Sequence, residues 1–144
     1  MAESISVTWS WLAAGQLTLV KGVLVFPRVP DKPGVYRFTF FDAVGALARV
    51  YVGEADPLPR RFRHYRTPGS STRSGSTNVR MNAVMTDTLA QGGRIHVEVA
   101  TEAQSAGEDG MYRSLDLTWK AARVLIEQAA VVTEGSAGSP LLNL

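Results

Sequence analysis

The sequence has no cysteine and only two histidines among its 144 residues. A disulfide scaffold and a thiolate zinc site are therefore excluded, and we expect no transition-metal site with several imidazole ligands. No segment reaches the roughly 20 consecutive apolar residues that span a bilayer. The N-terminus also lacks the basic start of a signal peptide. We expect a soluble, cytoplasmic protein that has no membrane partner.

Acidic residues are absent between Arg60 and Arg80, a stretch that holds six arginines. These are Arg60, Arg61, Arg63, Arg66, Arg73 and Arg80. The whole chain has fifteen basic and thirteen acidic residues, so the remainder of the chain is net acidic. Such a local concentration of positive charge is typical of a surface that binds a polyanion. The alternative is a solvated helix face followed by a basic loop.

Length and composition predict a single domain over residues 1–144. Apolar residues make up 45% of the chain and charged residues 19%, which is a globular composition. Residues 5–26 are largely apolar, and their pattern does not separate a short helix from a strand. Residues 26–33 contain three prolines and cannot be helical. We expect residues 1–32 to form an N-terminal extension that packs on a core made by residues 33–143.

The core is predicted to be α/β (α+β), with a small central antiparallel three-stranded β-sheet flanked by helices. β-branched and aromatic residues, with a turn signal at 42–45, predict a β-hairpin over 35–53. Periodicity and breaker residues predict the later elements. These are a helix over 57–66, a loop over 67–77, a helix over 78–90, a strand over 94–100, a helix over 112–132 and a flexible connection over 135–139.

Three polar side chains flank or line the predicted helix starts. Asp56 is the expected N-cap of the first helix, since Pro57 suits the first helical position. Asn78 opens the second helix and Asn82 lines it. Helix capping by Asn78 and contact of both asparagines with phosphate are alternatives.

Two tripeptides face each other on the predicted hairpin, Gly34-Val35-Tyr36 and Tyr51-Val52-Gly53. Arg61 follows ten residues after Tyr51, and Tyr65 comes four residues later. Glu127 begins the segment EQAAVV on the last helix, and Asn143 ends the segment PLLN. In this order and spacing the elements resemble the GIY-YIG nuclease family over residues 33–143. Residues 134–138 look like an insertion relative to that family.

The resemblance implies a metal-dependent endonuclease that hydrolyses phosphodiester bonds in DNA, with RNA as an alternative substrate. It implies catalytic roles for Tyr36, Tyr51, Arg61, Tyr65 and Glu127, with His64 and Asn143 in support. Glu127 would hold one divalent ion, Mg²⁺ or alternatively Mn²⁺, and either Tyr36 or Tyr51 would take a proton from the attacking water. The arginines at 60, 63, 66, 73 and 80 would bind the nucleic-acid backbone. Recognition by a homodimer, by a partner protein or with little sequence preference all stay open.

These residue types suit the chemistry. Hydrolysis needs an activated water, and it needs groups that stabilise charge on the phosphate oxygens. One carboxylate can hold a Mg²⁺ ion that keeps most of its waters. The planar guanidinium of Arg61 matches phosphate oxygens better than an ammonium group does. A tyrosine with a pKa near ~10 is a poor base at neutral pH. The metal and Arg61 would have to lower that pKa.

Each assignment has a structural alternative. Tyr36 alternates with Phe38 and Phe40 along a strand, which is also the pattern of core packing. Glu127 lies one turn after Arg123, which would allow an ion pair between them. The functional interpretation requires the five catalytic side chains to converge on one concave surface, and it fails for the first motif if Tyr36 points into a sealed core. A catalytically inactive nucleic-acid-binding module with the same fold is the alternative function.

Overall fold

A computed structural model describes residues 1–69 and 73–143 of the chain, with residues 73–75 described by their backbone alone. The strands in these ranges are β1 (Ser6–Trp9), β2 (Leu12–Gln16), β3 (Thr18–Val20), β4 (Val23–Val25), β5 (Gly34–Phe41), β6 (Leu47–Ala55), β7 (Arg94–Ala100), β8 (Ala103–Ala106) and β9 (Arg113–Ser114). The helices are α1 (Leu58–Arg66), α2 (Arg73–Ala90) and α3 (Lys120–Ser136). No helix in the described ranges is both long and apolar enough to cross a membrane.

The central sheet has four antiparallel strands in the order β2-β7-β5-β6. The predicted α/β class, hairpin and third strand are confirmed, with Tyr36 directly opposite Gly53 across the hairpin. The fourth strand, β2, comes from the residues expected to form only a packed extension. Its addition has a physical reason, because β7 would otherwise present a row of unpaired backbone groups at the sheet edge.

The first two helices begin at other residues than predicted. Asp56 is not the cap of α1: Pro57 takes that position without a side-chain hydrogen bond, and Asp56 lies 3.6 Å from Arg123 instead. Helix α2 begins at Arg73, so residues 73–77 of the predicted loop are helical, while residues 70–72 lie outside the described residues. Asn78 is buried inside this helix and does not cap it. Packing of one helix face, through Met81 and Met85, outweighs the weak helix propensity of the Ser/Thr/Gly segment.

Helix α3 is displaced along the chain from the predicted range 112–132. Its start is delayed by a turn in which the Asp116 carboxylate accepts hydrogen bonds from the backbone N–H and the hydroxyl of Thr118, at 3.0 and 2.6 Å. Its end is extended because Glu134 binds Arg37 at 2.5 Å and accepts a bond from Ser139 at 2.8 Å. Residues 134–136 are therefore part of the helix, and the predicted flexible connection and insertion are both shorter than expected.

The two faces of the sheet carry two hydrophobic clusters. Tyr36, Phe38 and Phe40 point to the face covered by α1 and α2. Val35, Val50 and Val52 alternate with them and their strand partners and pack under α3. The side chains on the first face are the ones that the motifs and α1 bring together.

Candidate active site

The glycines of both motifs allow close approach of other groups. A Cβ atom on Gly53 would overlap the Cζ and hydroxyl oxygen of Tyr36. A Cβ atom on Gly34 would lie 2.7 Å from the carbonyl oxygen of Ala100 and 3.2 Å from Leu58 at the start of α1. The glycine of the second motif thus makes room for the tyrosine of the first, and the glycine of the first makes room for β7 and α1.

Tyr36 and Tyr65 form a buried pair, which we call the tyrosine layer. Their hydroxyl oxygens are 2.6 Å apart and hydrogen-bonded, and the residues are 1% and 0% exposed. Burial raises the pKa of Tyr36 well above its ordinary value, and the neighbouring tyrosines raise it further, while Arg61 opposes them. Tyr36 therefore points into a sealed core. The structure therefore does not meet the requirement that Tyr36 lie on one concave surface with the other predicted catalytic side chains.

Tyr51 on β6 and Arg61 on α1 adjoin this layer, and Glu127 on α3 interacts electrostatically with both. Arg61 donates from Nε to the Tyr65 hydroxyl at 3.3 Å, and its guanidinium carbon is 5.2 Å from the centre of the Tyr65 ring. Tyr51 is 8% exposed. Burial raises the pKa of Tyr51 above its ordinary value, Tyr65 and Glu127 add to the rise, and Arg61 lowers it. All these side chains are within electrostatic reach of one another.

Glu127 is half-buried and does not pair with Arg123. Arg123 instead donates to Glu54 at 2.6 Å and to the carbonyl oxygens of Leu117 and Thr118 at 3.0 and 3.1 Å. The proposed alternative of a Glu127–Arg123 ion pair is therefore wrong. Burial raises the pKa of the Glu127 carboxyl, while a hydrogen bond from Gln128 and the charges of Arg61 and Lys120 act in the opposite direction.

A cavity of about 270 Å³ opens beside these groups, and we call it the basic cleft. It is lined by Glu54, Ala55, Asp56, Pro57, Arg60, Arg61, His64, Lys120 and Arg123. Its two acids both lie against Arg123. Arg60, Arg61 and Lys120 are left to face an anion from outside the protein. The cleft is therefore suited to a phosphate group.

Two residues of the basic cleft were missed from the sequence. Lys120 lies seven residues before Glu127, a spacing that places both on one face of a helix, so the pattern could have identified it. Arg123 was considered only as a partner of Glu127. Its ion pair with Glu54 links residues 69 positions apart in the chain, and no local pattern indicates such a contact.

The described residues contain no group of three or more His, Cys, Asp or Glu side chains placed to hold a metal ion. Glu127 forms no ion pair within the described residues, whereas Glu54 is bound by Arg123. A single carboxylate without an ion pair fits a hard ion such as Mg²⁺, which keeps several of its waters when bound. It does not fit an ion that requires a full set of protein ligands.

The structure divides the predicted nucleic-acid-binding arginines among different surfaces. Arg60 lines the basic cleft together with His64. Arg63 and Arg66 are exposed on the other side of α1 and line a different groove. Arg80 is exposed on α2. The side chain of Arg73 lies outside the described residues.

Two of the asparagines predicted to have a role in the site, Asn143 and Asn82, bind backbone. Asn143 accepts a hydrogen bond from the N–H of Val52 at 2.9 Å and donates to its carbonyl oxygen at 2.6 Å, as a neighbouring strand would. The Val50 N–H also donates to the carbonyl oxygen of Pro140 at 2.8 Å, and the Leu142 N–H donates to the carbonyl oxygen of Val50 at 2.9 Å. Together these bonds cover the free edge of β6 and fix the second motif. Asn82 donates to the carbonyl oxygens of Tyr65 and Arg66 at 2.8 and 3.3 Å, which satisfies the C-terminus of α1.

No protein-family model matches the sequence. No curated protein matches it either. Among solved structures, the chain is similar to bacteriophage T4 EndoII, in a form that carries a glutamate-to-alanine substitution. The two share 17% sequence identity, with a TM-score of 0.54, and the match covers 83% of this chain and 86% of that one. At this identity the likeness shows the fold.

Proposed function

We propose that the protein is a metal-dependent endonuclease of the GIY-YIG type that hydrolyses phosphodiester bonds in DNA. The observation that carries the proposal is the convergence of Tyr51, Arg61 and Glu127, from a strand and two helices, beside a cleft lined by further cations. The similarity in fold to a phage protein named EndoII adds support by analogy of fold alone.

In this proposal the cations of the basic cleft hold the phosphate. Arg61 offers its fork to the non-bridging oxygens, and its contact with Tyr65 fixes the direction of that fork. Arg60 and Lys120 hold the adjoining phosphate group, and His64 lies at the same cleft as a donor to the leaving oxygen. Each of these groups acts more strongly on the extra negative charge of the transition state than on the ground state.

Glu127 would hold a divalent ion, Mg²⁺ or Mn²⁺, that is otherwise ligated by water. When bound, such an ion supplies Lewis acidity to a phosphate oxygen and to a coordinated water. Tyr51 is the tyrosine within reach of both Glu127 and Arg61 and is our candidate to accept the water's proton. It can do so only as the phenolate, so the bound metal ion and Arg61 would have to offset the rise in its pKa that burial causes. The sealed Tyr36 is instead a positioning residue, because its hydroxyl orients Tyr65 and, through Tyr65, Arg61.

The test is incubation of supercoiled plasmid with Mg²⁺, then with Mn²⁺, comparing the wild type with Glu127→Gln. We expect nicked or linear product from the wild type and a rate at least about 100-fold lower for the variant, the size of effect of one preorganised charge. Glu108→Gln is the matched control, because it removes the same charge from an exposed loop. Circular dichroism establishes that all three proteins are folded.

Two outcomes would contradict the proposal in different ways. A folded wild type that binds DNA but cleaves no form of it, methylated or unmethylated, would favour a catalytically inactive nucleic-acid-binding module. Cleavage that persists in Glu127→Gln at the wild-type rate would remove Glu127 as the metal ligand.

A further inference from the structure

Helix α1 presents basic residues on two separate sides. Pro57, Arg60, Arg61 and His64 face the basic cleft. Pro59, Phe62, Arg63 and Arg66 have the spacing of another helical stripe and line a second cavity of about 340 Å³. We call this second cavity the arginine groove. The volume is within the range of about 300–1,000 Å³ that is usual for small-ligand sites.

The opposite wall of the arginine groove is the segment 25–29, which leaves β4 and leads towards β5. Phe26 of this segment stacks on Phe62 of α1, with ring centres 5.1 Å apart and an angle of 26° between the planes. Pro27 and Pro59 complete the apolar lining on the two sides. The floor is therefore an apolar and rigid surface, because both prolines and the aromatic stack have few conformations to lose on binding.

The rim of the arginine groove is cationic and carries no acid. Arg28, Arg63 and Arg66 are exposed there, and within the described parts of the chain none of them forms an ion pair. The basic cleft differs, since its two acids are bound to Arg123. Three unpaired guanidinium groups around an apolar floor match a ligand that has a flat apolar part and an anionic part.

We propose that the arginine groove binds an unpaired nucleotide of the nucleic-acid substrate, with the base on the apolar floor and its phosphates against Arg28, Arg63 and Arg66. This inference rests on the proposed function. A strand held in the basic cleft must pass α1, whose width with side chains is about 10–12 Å, or roughly three nucleotide steps of about 3.4 Å. A base paired within a duplex stays in its stack, so only an unpaired base can reach the floor.

The proposed substrate is therefore a duplex with a single-stranded extension or gap near the cleavage position. The test compares a blunt duplex with the same duplex carrying a short extension on either strand, by fluorescence anisotropy in EDTA so that no cleavage occurs. We expect about tenfold tighter binding of one extended duplex, as base stacking on a protein surface typically contributes. An extension with 5-iodouracil should crosslink on irradiation to residues 25–28 or 59–66.

Arg28 is suited to substitution because it is exposed and lies in neither the tyrosine layer nor the basic cleft. Arg28→Ala should reduce the preference for the extension and lower the salt dependence of binding by about one phosphate contact. Arg28→Glu should abolish the preference. Arg94→Ala and Arg94→Glu are the matched controls and should leave the preference intact. Arg94 is exposed on β7, where it is paired with Phe41 at the end of β5 that is far from Gly34.

The outcomes separate this inference from the function on which it rests. Equal affinity for blunt and extended duplexes, or a preference that Arg28→Glu retains, would overturn the arginine groove's role while plasmid cleavage leaves the proposed function standing. A folded protein that neither binds nor cleaves any of these DNAs would overturn the proposed function and the inference together. Binding of polyglutamate that competes with the extension and requires Arg28 would assign the groove to an acidic protein partner instead, and would overturn the nucleotide.

Discussion

Tyr36 and Tyr65 are sealed from solvent, whereas Arg60, His64 and Lys120 are exposed, although Arg61 lies between the two groups. The tyrosine layer makes its contacts inside the protein: one hydroxyl pair and several aromatic neighbours, among them Phe62 at 5.3 Å from Tyr36. Within the described residues, Arg60, His64 and Lys120 form no ion pair. The tyrosine layer is thus stabilised by packing, and the exposed cations of the basic cleft are available to bind an anion.

This difference separates two kinds of consequence. A change in the tyrosine layer should appear first in the free energy of unfolding, because the side chains there pack and hydrogen-bond away from solvent. A change in the basic cleft should appear in cleavage while the free energy of unfolding stays nearly constant, because exposed charges contribute little to stability. Substitutions on the two sides of Arg61 test whether the division is real.

Among the substitutions in the tyrosine layer and at Arg61, Arg61→Ala is expected to have the largest effect. Loss of one preorganised donor to a transition state typically slows a reaction by about 100- to 1,000-fold, and we expect that reduction in plasmid cleavage. The free energy of unfolding, measured by urea denaturation, should change by less than about 1 kcal/mol, since the bond to Tyr65 is long at 3.3 Å. Cleavage by Arg61→Lys should be between that of the wild type and that of Arg61→Ala, because lysine keeps the charge and loses the planar fork.

If Arg61→Ala lowers the free energy of unfolding but cleaves at the wild-type rate, Arg61 contributes to the stability of the tyrosine layer and not to cleavage. Arg94→Ala, an exposed arginine at the far end of the sheet, controls for loss of overall positive charge.

Gly53→Ala should have the next largest effect, and on stability. The added Cβ would overlap the ring and hydroxyl of Tyr36, so the tyrosine layer has to move. Overpacking of this kind costs about 1–3 kcal/mol in the free energy of unfolding. Gly107→Ala is the matched control, because a Cβ there meets no atom within 4 Å, and its stability should stay within about 0.5 kcal/mol of the wild type. Equal stability of the two variants would show that Tyr36 is not held in place by the second motif.

The sequence was informative where residues act through local pattern. Alternation of apolar side chains predicted β5, β6 and β7, and the turn at 42–46 is held by bonds from Val44 and Ala46 to the Asp42 carboxylate. The spacing of four positions between Arg61 and Tyr65 places the two side chains side by side on α1, where they form a hydrogen bond. Tyr51, Arg61 and Glu127 were linked through the resemblance to a known family, since no local spacing relates Glu127 to the other two.

What the sequence could not supply was burial and long-range pairing. The same strand tyrosine pattern fits a reactive group and a packed one, and only the position of α1 over β5 decides that Tyr36 is sealed. The pairing of β2 with β7 and of Arg123 with Glu54 joins segments far apart in the chain, for which no local periodicity exists. The two sides of α1 were also merged into one basic stretch, because charge counted along a chain does not separate the faces of a helix.

Tyr36→Phe is expected to have the smallest effect, and it decides between the two tyrosines. Loss of the buried hydroxyl removes one hydrogen bond and should cost about 1 kcal/mol in the free energy of unfolding, since Tyr65 keeps its bond from Arg61. Tyr112→Phe, which alters an exposed tyrosine, should change nothing.

A residue that accepts the water's proton contributes about 100- to 10,000-fold to a rate. Tyr51→Phe should therefore slow cleavage by that order, and Tyr36→Phe by only a few-fold at constant KM. If Tyr36→Phe instead slows cleavage more than Tyr51→Phe does, solvent and substrate must reach the tyrosine layer during turnover.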